Sequence, residues 1–182
     1  MQNLTILAIS GSLRAHSTNT ELLIALATLA PAGVSIDLYD GLDRLPHFNP
    51  DLEPTEPAPV IALKRRVAGA DGLIISSPEY ARGVPGSLKN ALDWLVASVE
   101  LPHKPVALLN ASPWATHAQA SLMETLTVMT TRIVHEACAT IPVTRGDLAA
   151  DGTIASTEIR AALRAALDVF ARDIATRGVN AS

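Results

Sequence analysis

Arg14 asks for a partner that its neighbours in the sequence do not supply. It lies in SGSLRAHSTN, residues 10–19, directly after the apolar run LTILAI at 4–9. Ser12, Ser17, Thr18 and Asn19 can all donate hydrogen bonds there. The Arg14 guanidinium offers a planar fork of donors that matches phosphate oxygens. Thr18 with Glu21 has the spacing of a capping box, which predicts a helix starting at Thr18. A helix N-terminus carries unsatisfied N–H groups and a partial positive charge, and so favours an anion. Capping accounts for Thr18 and at most Ser17. It does not account for Arg14, because a cation at that end opposes the dipole unless an anion lies between them. The residues leave two readings, a capped surface loop and a phosphate site, and the electrostatics weigh towards the second.

A second stretch, SSPEYARGVPGSLKNALDWL at 76–95, leaves the apolar run DGLIIS through Pro78 and re-enters helix with Pro85 suited to the first position. Gly83 and Gly86 are expected to free the backbone around this turn. Tyr80 offers an aromatic face beside main-chain N–H groups, which suits a flat heterocycle; the plainer reading is a ring covering the strand end. Trp94 shares a helix face with Leu88, Leu92 and Leu95, which points to a core or a subunit contact. After PVALLNA at 105–111 comes SPWATHAQAS. Ser112 there could cap a helix, touch a ligand or do both, and Trp114 could form a wall or pack.

Several chemistries drop out. The loop lacks GxxxxGK[ST], GxGxxG and any cysteine, which removes triphosphate P-loops, ordinary dinucleotide sites and cysteine phosphatases. His16 is expected to face solvent. His47, His103, His117 and His135 show no metal-ligand spacing, so no metal site is expected. Cys138 is the only cysteine, which excludes an internal disulfide and suggests a small buried hydrophobe.

These segments need elements to position them. Strand-like runs at 4–9, 34–39, 71–76 and 105–111, with a less regular one within HEACATIPV at 135–143, alternate with helical patterns near 18–30, 58–69, 85–98, 116–132 and 156–176. The first, third and fourth runs are almost wholly apolar, as in parallel strands covered on both faces. The alternation predicts a doubly wound α/β fold of three layers in a single domain, residues 1–182. Ligands in such sheets bind beyond the carboxyl ends of the strands, where all three candidate segments fall. A proline-rich loop at 40–59 is expected to be extended and to lie near the site. Net charge is −4, with 48% hydrophobic and 18% charged residues. That composition gives no basic stripe for a nucleic acid. No run is long enough to span a bilayer and no signal-peptide pattern begins the chain, so a cytoplasmic protein without a membrane partner is expected.

Together the motifs resemble the NAD(P)H-dependent FMN reductases of flavodoxin-like fold, which include quinone, chromate and azo-compound reductases. GSLRAHSTN is similar to GSxRxxSxN, PEYARGVPGSLKNALDW to PEYNxxxPGxLKNAIDW, and LPHFNPDLE (45–53) to LPxxNxDLE. The resemblance implies a flavodoxin-like three-layer sandwich with a five-stranded parallel sheet in the order 2-1-3-4-5. It implies that Ser12, Arg14, Ser17, Thr18 and Asn19 hold the FMN phosphate. Pro78, Glu79, Tyr80, Ala81, Gly83 and Ser112 would lie along the rest of the flavin. NADPH or NADH would donate hydride to the flavin, with no catalytic side chain, and a small-molecule acceptor such as a flavin or quinone would receive the electrons. A homodimer or homotetramer follows by the same resemblance, with Leu92, Trp94 and Leu95 at or beneath the contact. The alternative is a flavodoxin-like electron carrier without nicotinamide oxidation, which the mild net charge does not favour. Two departures stand out. Ala81 replaces an Asn, and SPWATHAQAS replaces a glycine-rich SxGxxGG.

Overall fold

Alternate residues of each central strand enter different apolar clusters, which is what a sheet buried on both faces requires. In the computed structural model, which describes residues 3–144, 146–149 and 151–178, the strands are β1 (Leu4–Ser10), β2 (Val34–Tyr39), β3 (Gly72–Ser76) and β4 (Pro105–Asn110). Ile6, Ala8, Ile74, Ala107 and Leu109 face one cluster; Leu7, Ile9, Leu73, Ile75, Val106 and Leu108 face the other. Helices α1 (Thr18–Thr28) and α5 (Thr157–Gly178) cover the first face. Helices α2 (Ala58–Gly69), α3 (Gly86–Leu95) and α4 (Thr116–Val128) cover the second. At Gly72 the absent side chain admits α5, since a Cβ there would stand 2.8 Å from both Phe170 and Ile174.

All strand pairs are parallel, in the order β2-β1-β3-β4 followed by a fifth position. This is the expected 2-1-3-4-5 arrangement of a three-layer flavodoxin-like fold. The fifth position differs from a continuous strand within 135–143. It is filled by β5 (Arg132–Ile133) and β6 (Ala139–Thr140), two short pieces that both pair with β4. A 3₁₀ turn at His135–Ala137 separates them. At the break the Leu108 N–H donates to Cys138 Sγ (3.3 Å), so the thiol replaces a missing ladder carbonyl. Cys138 is half-buried rather than a core residue, and burial pushes its thiol pKa up.

The proline-rich loop is not extended. It winds into 3₁₀ turns at Leu42–Arg44 and Pro50–Thr55, the second capped by Asn49. Its middle is strapped to α3. Trp94 Nε1 and Asn90 Nδ2 both donate to the Pro46 carbonyl (2.8 and 2.9 Å), and the Phe48 N–H donates to Asn90 Oδ1 (2.8 Å). Phe48 meets the Trp94 ring edge to face at 5.1 Å. Leu92, Trp94 and Leu95 are therefore core residues, each no more than 3% exposed, so they could only lie beneath a subunit contact and not at its surface. The exposed apolar side chains nearby in sequence are Val96, Val99 and Trp114. Among the described residues no helix is long and apolar enough to cross a membrane.

Candidate functional site

The end of β1 is tied to the start of α1 by hydroxyl groups. Ser10 Oγ and Thr20 Oγ1 share a hydrogen bond of 2.7 Å, and Ser10 Oγ also accepts from the Ser12 N–H at 3.3 Å. From β3, Ser76 Oγ donates to Asn19 Oδ1 (3.0 Å) in a buried position. The Gly11 N–H donates to the Ser76 carbonyl (2.8 Å), and a Cβ at Gly11 would stand 2.5 Å from Ser77 Oγ. The glycine of GSLR is thus required by close packing of the β1 and β3 ends.

Helix α1 begins one residue earlier than a capping box at Thr18 requires. Ser17 is the N-cap, Thr18 is the first helical residue, and no side chain caps the helix. The first helical bond runs from the Glu21 N–H to the Ser17 carbonyl (2.8 Å). The N–H groups of Thr18, Asn19 and Thr20 precede it and share the partial positive charge of that end. Ser17 is buried, and its hydroxyl makes no cap bond. Arg14 has no ion-pair partner among the described residues, which is equally true of Arg65, Arg82, Lys104, Arg160, Arg164 and Arg172; what sets it apart is its place in a cavity at the start of α1. A cation without an ion pair and a helix start without a side-chain cap therefore face one cavity.

That cavity, of about 500 Å³, is lined by Ser12, Arg14, His16, Ser17, Thr18, Asn19 and Glu21, with Pro78 and Tyr80 opposite and Gly146 and Leu148 closing one side. The phosphate-loop candidates are together, and Pro78 and Tyr80 join them. His16 lines the cavity as well as facing solvent. The Gly146–Leu148 segment was missed from sequence. It follows the broken fifth strand, whose carboxyl end was not located.

Four other candidates do not line this cavity. The Glu79 carboxylate accepts from the Ala118 N–H (3.0 Å), and so caps α4 from outside the helix. Ala115, not Ser112, occupies the N-cap position of α4. Ser112 instead builds a tight turn, accepting from the Trp114 N–H at its Oγ (3.3 Å) and donating its own N–H to Asn110 Oδ1 (3.0 Å). Trp114 neither packs nor walls a pocket within the protomer, being 85% exposed.

Ala81 and Gly83 belong to the turn beyond Tyr80. The Tyr80 N–H donates to Gly83 O (3.1 Å) and the Gly83 N–H to Tyr80 O (2.9 Å), closing a two-residue hairpin turn. The left-handed residues of that turn are Ala81 (φ 50°) and Arg82 (φ 61°), while Gly83 is not left-handed. Pro85 stands just before α3 as its N-cap. The position where the family pattern has Asn is therefore one whose backbone favours Asn or Gly over Ala.

Comparison with known proteins follows the same lines. The sequence model of the NADPH-dependent FMN reductase family matches residues 4–145. A 2-hydroxy-1,4-benzoquinone reductase from Burkholderia sp. is 47% identical over 91 residues, which span 50% of this chain and 49% of that protein. An NAD(P)H-dependent FMN reductase from Pseudomonas aeruginosa is 37% identical over 130 residues, covering 68% of this chain and 70% of that one. The chain thus matches about half the length of the first of these relatives. Among solved structures, a flavoenzyme NAD(P)H:(acceptor) oxidoreductase from Paracoccus denitrificans superposes with a TM-score of 0.86 at 32% identity, over 95% of this chain and 98% of that one.

Proposed function

The chain belongs to the NADPH-dependent FMN reductase family, and from that membership and the cavity chemistry we propose that it is an NAD(P)H-dependent flavin reductase that binds FMN. NADPH or NADH is the hydride donor, and a flavin, quinone or similar small molecule is the acceptor. The observation that carries this reading is the unpaired Arg14 set against the uncapped start of α1. Such an arrangement favours an anion that joins the two.

The residues fit the cofactor. Arg14 gives a charge-assisted fork, Ser12, Ser17 and Thr18 give hydroxyls, and Asn19, fixed through its Oδ1 by Ser76, keeps its amide N–H groups for the ligand. Pro78 and Tyr80 border the ring end, with the Ala81–Gly83 turn and Ser112 outside them. When bound, FMN supplies the hydride acceptance that no side chain here provides. The protein holds the phosphate, orients the ring and leaves one side open for donor and acceptor in turn. Glu79 acts by holding the Pro78–Tyr80 segment against α4. The same family membership supports assembly as a homodimer or homotetramer, with Trp114 as a candidate for the covered surface.

The test is direct. Purified protein loaded with FMN should stay yellow through gel filtration and should oxidise NADPH or NADH when a quinone is added. Protein that cannot be loaded would sink the reading, and protein that holds FMN without oxidising either nucleotide would be an electron carrier.

A further inference from the structure

Asparagine competes with a helix's own hydrogen bonds and is seldom buried. Asn19 is nevertheless the second residue of α1 and only 6% exposed. Its partner is Ser76, whose Oγ donates to Asn19 Oδ1 at 3.0 Å. Ser76 is itself wholly buried, at the carboxyl end of β3, where the residues before it are apolar or glycine. Such a pair contributes little net stability, because two apolar groups of the same shape would serve the interior about as well. What the pair does supply is an orientation for the amide.

The two ends of that amide have opposite character. Oδ1 is held by Ser76, whereas Nδ2 has no acceptor among the described residues and is not enclosed by protein. Asn19 lines the cavity at the start of α1, so its N–H groups open there. The helix has a second tie of its own. Ser10 Oγ and Thr20 Oγ1 share a hydrogen bond of 2.7 Å, and Ser10 is the register partner of Ser76 across β1 and β3. Two successive residues of α1 are thus held by the last residues of the two central strands. Removing the Ser76 hydroxyl leaves the helix tied through Thr20 and releases only the amide.

A released amide would work against an anion. The first N–H groups of α1 have no side-chain cap, and an asparagine oxygen near a helix start readily accepts from such groups. Turned that way, Oδ1 would occupy those N–H groups and show its partial negative charge to the cavity. We propose that Ser76 is a positioning residue for the flavin phosphate. By holding Asn19 Oδ1 it stops the helix start from capping itself, and it aims the amide N–H groups at the anion. Ser76 acts only through Asn19. The proposal rests on the flavin-binding reading above and adds to it the residue that sets the polarity of the phosphate site.

Riboflavin has the ring and ribityl chain of FMN without the phosphate, so titrating both into the flavin-free protein by fluorescence quenching isolates the phosphate end. Ser76→Ala should weaken FMN binding about tenfold and change riboflavin binding by less than about twofold. Ser76→Cys, close in volume but a weaker donor, should fall between the wild type and Ser76→Ala. In an Asn19→Ala background no amide remains to turn, and adding Ser76→Ala should then change FMN affinity by less than about twofold. The proposal is overturned if Ser76→Ala weakens both flavins alike, since the hydroxyl would then only support the fold. It is also overturned if the loss is as large without Asn19. A wild type that prefers FMN to riboflavin, with the whole preference kept in Ser76→Ala, defeats this proposal and leaves the flavin-binding reading standing. If the wild type binds neither flavin, the flavin-binding reading fails and takes this one with it.

Discussion

Single residues set the chemistry of the loop. Arg14→Ala removes a charge-assisted contact worth about 1.5–3 kcal/mol, so FMN should bind roughly 10- to 100-fold more weakly by calorimetric titration. Unchanged affinity would place the phosphate elsewhere. The turn beyond Tyr80 holds a different kind of information. Ala81 and Arg82 both adopt left-handed backbone, a conformation that costs non-glycine residues about 1 kcal/mol or more. Ala81→Gly or Arg82→Gly should therefore raise the urea midpoint by an amount equivalent to about 0.5–1 kcal/mol. A lower midpoint would show that these side chains contribute more than the strain removes. The hydroxyls and the guanidinium were legible in the sequence because residue type alone announces their chemistry. The hairpin was not, because Gly83 is the residue that a reader expects to turn, and it does not.

Elements place those residues, and their legibility varied with burial. The four long strands could be read because both faces are buried and their sequences are nearly continuously apolar. The fifth was mislocated because it is two short pairings around a 3₁₀ turn, with Cys138 filling the gap in the ladder. Helix α4 shows a further limit of local reading, since its cap comes from Glu79, distant in sequence. In the flavin-free protein, Glu79→Ala should cost about 1–2 kcal/mol by leaving the Ala118 N–H without its acceptor. Glu79→Gln keeps an acceptor oxygen and should cost about half as much. Equal losses in urea denaturation would show that charge, not the hydrogen bond, is what the helix needs. The strap from α3 to Pro46 was equally hidden, because it uses a backbone carbonyl and a tryptophan whose helical spacing already explained it as core.

At the scale of the molecule, Trp114, 85% exposed, is the largest exposed apolar side chain among the described residues. Tryptophan is enriched at protein–protein contacts relative to the rest of the surface. Sedimentation velocity should show a dimer or tetramer, and Trp114→Arg should shift it towards the protomer. Identical sedimentation of the two would exclude this surface from the contact. The place of the candidate cavity was legible, since strand order and the carboxyl-end rule direct attention to loops that line it. Its far wall was not, because Gly146 and Leu148 follow the one strand whose pattern was broken.

That wall bears on how the molecule is made. The cavity joins segments 12–21, 78–80 and 146–148, so it closes a loop that encompasses most of the chain. Contacts of such long sequence separation form late, since the entropy of closing the loop is lost before they contribute. During refolding in the presence of FMN, helical circular dichroism should return first, and flavin fluorescence quenching should follow in a slower phase. If the two signals rise together, the phosphate loop captures its ligand before the distant wall arrives. Flavin uptake would then report the birth of α1 and not the completion of the fold.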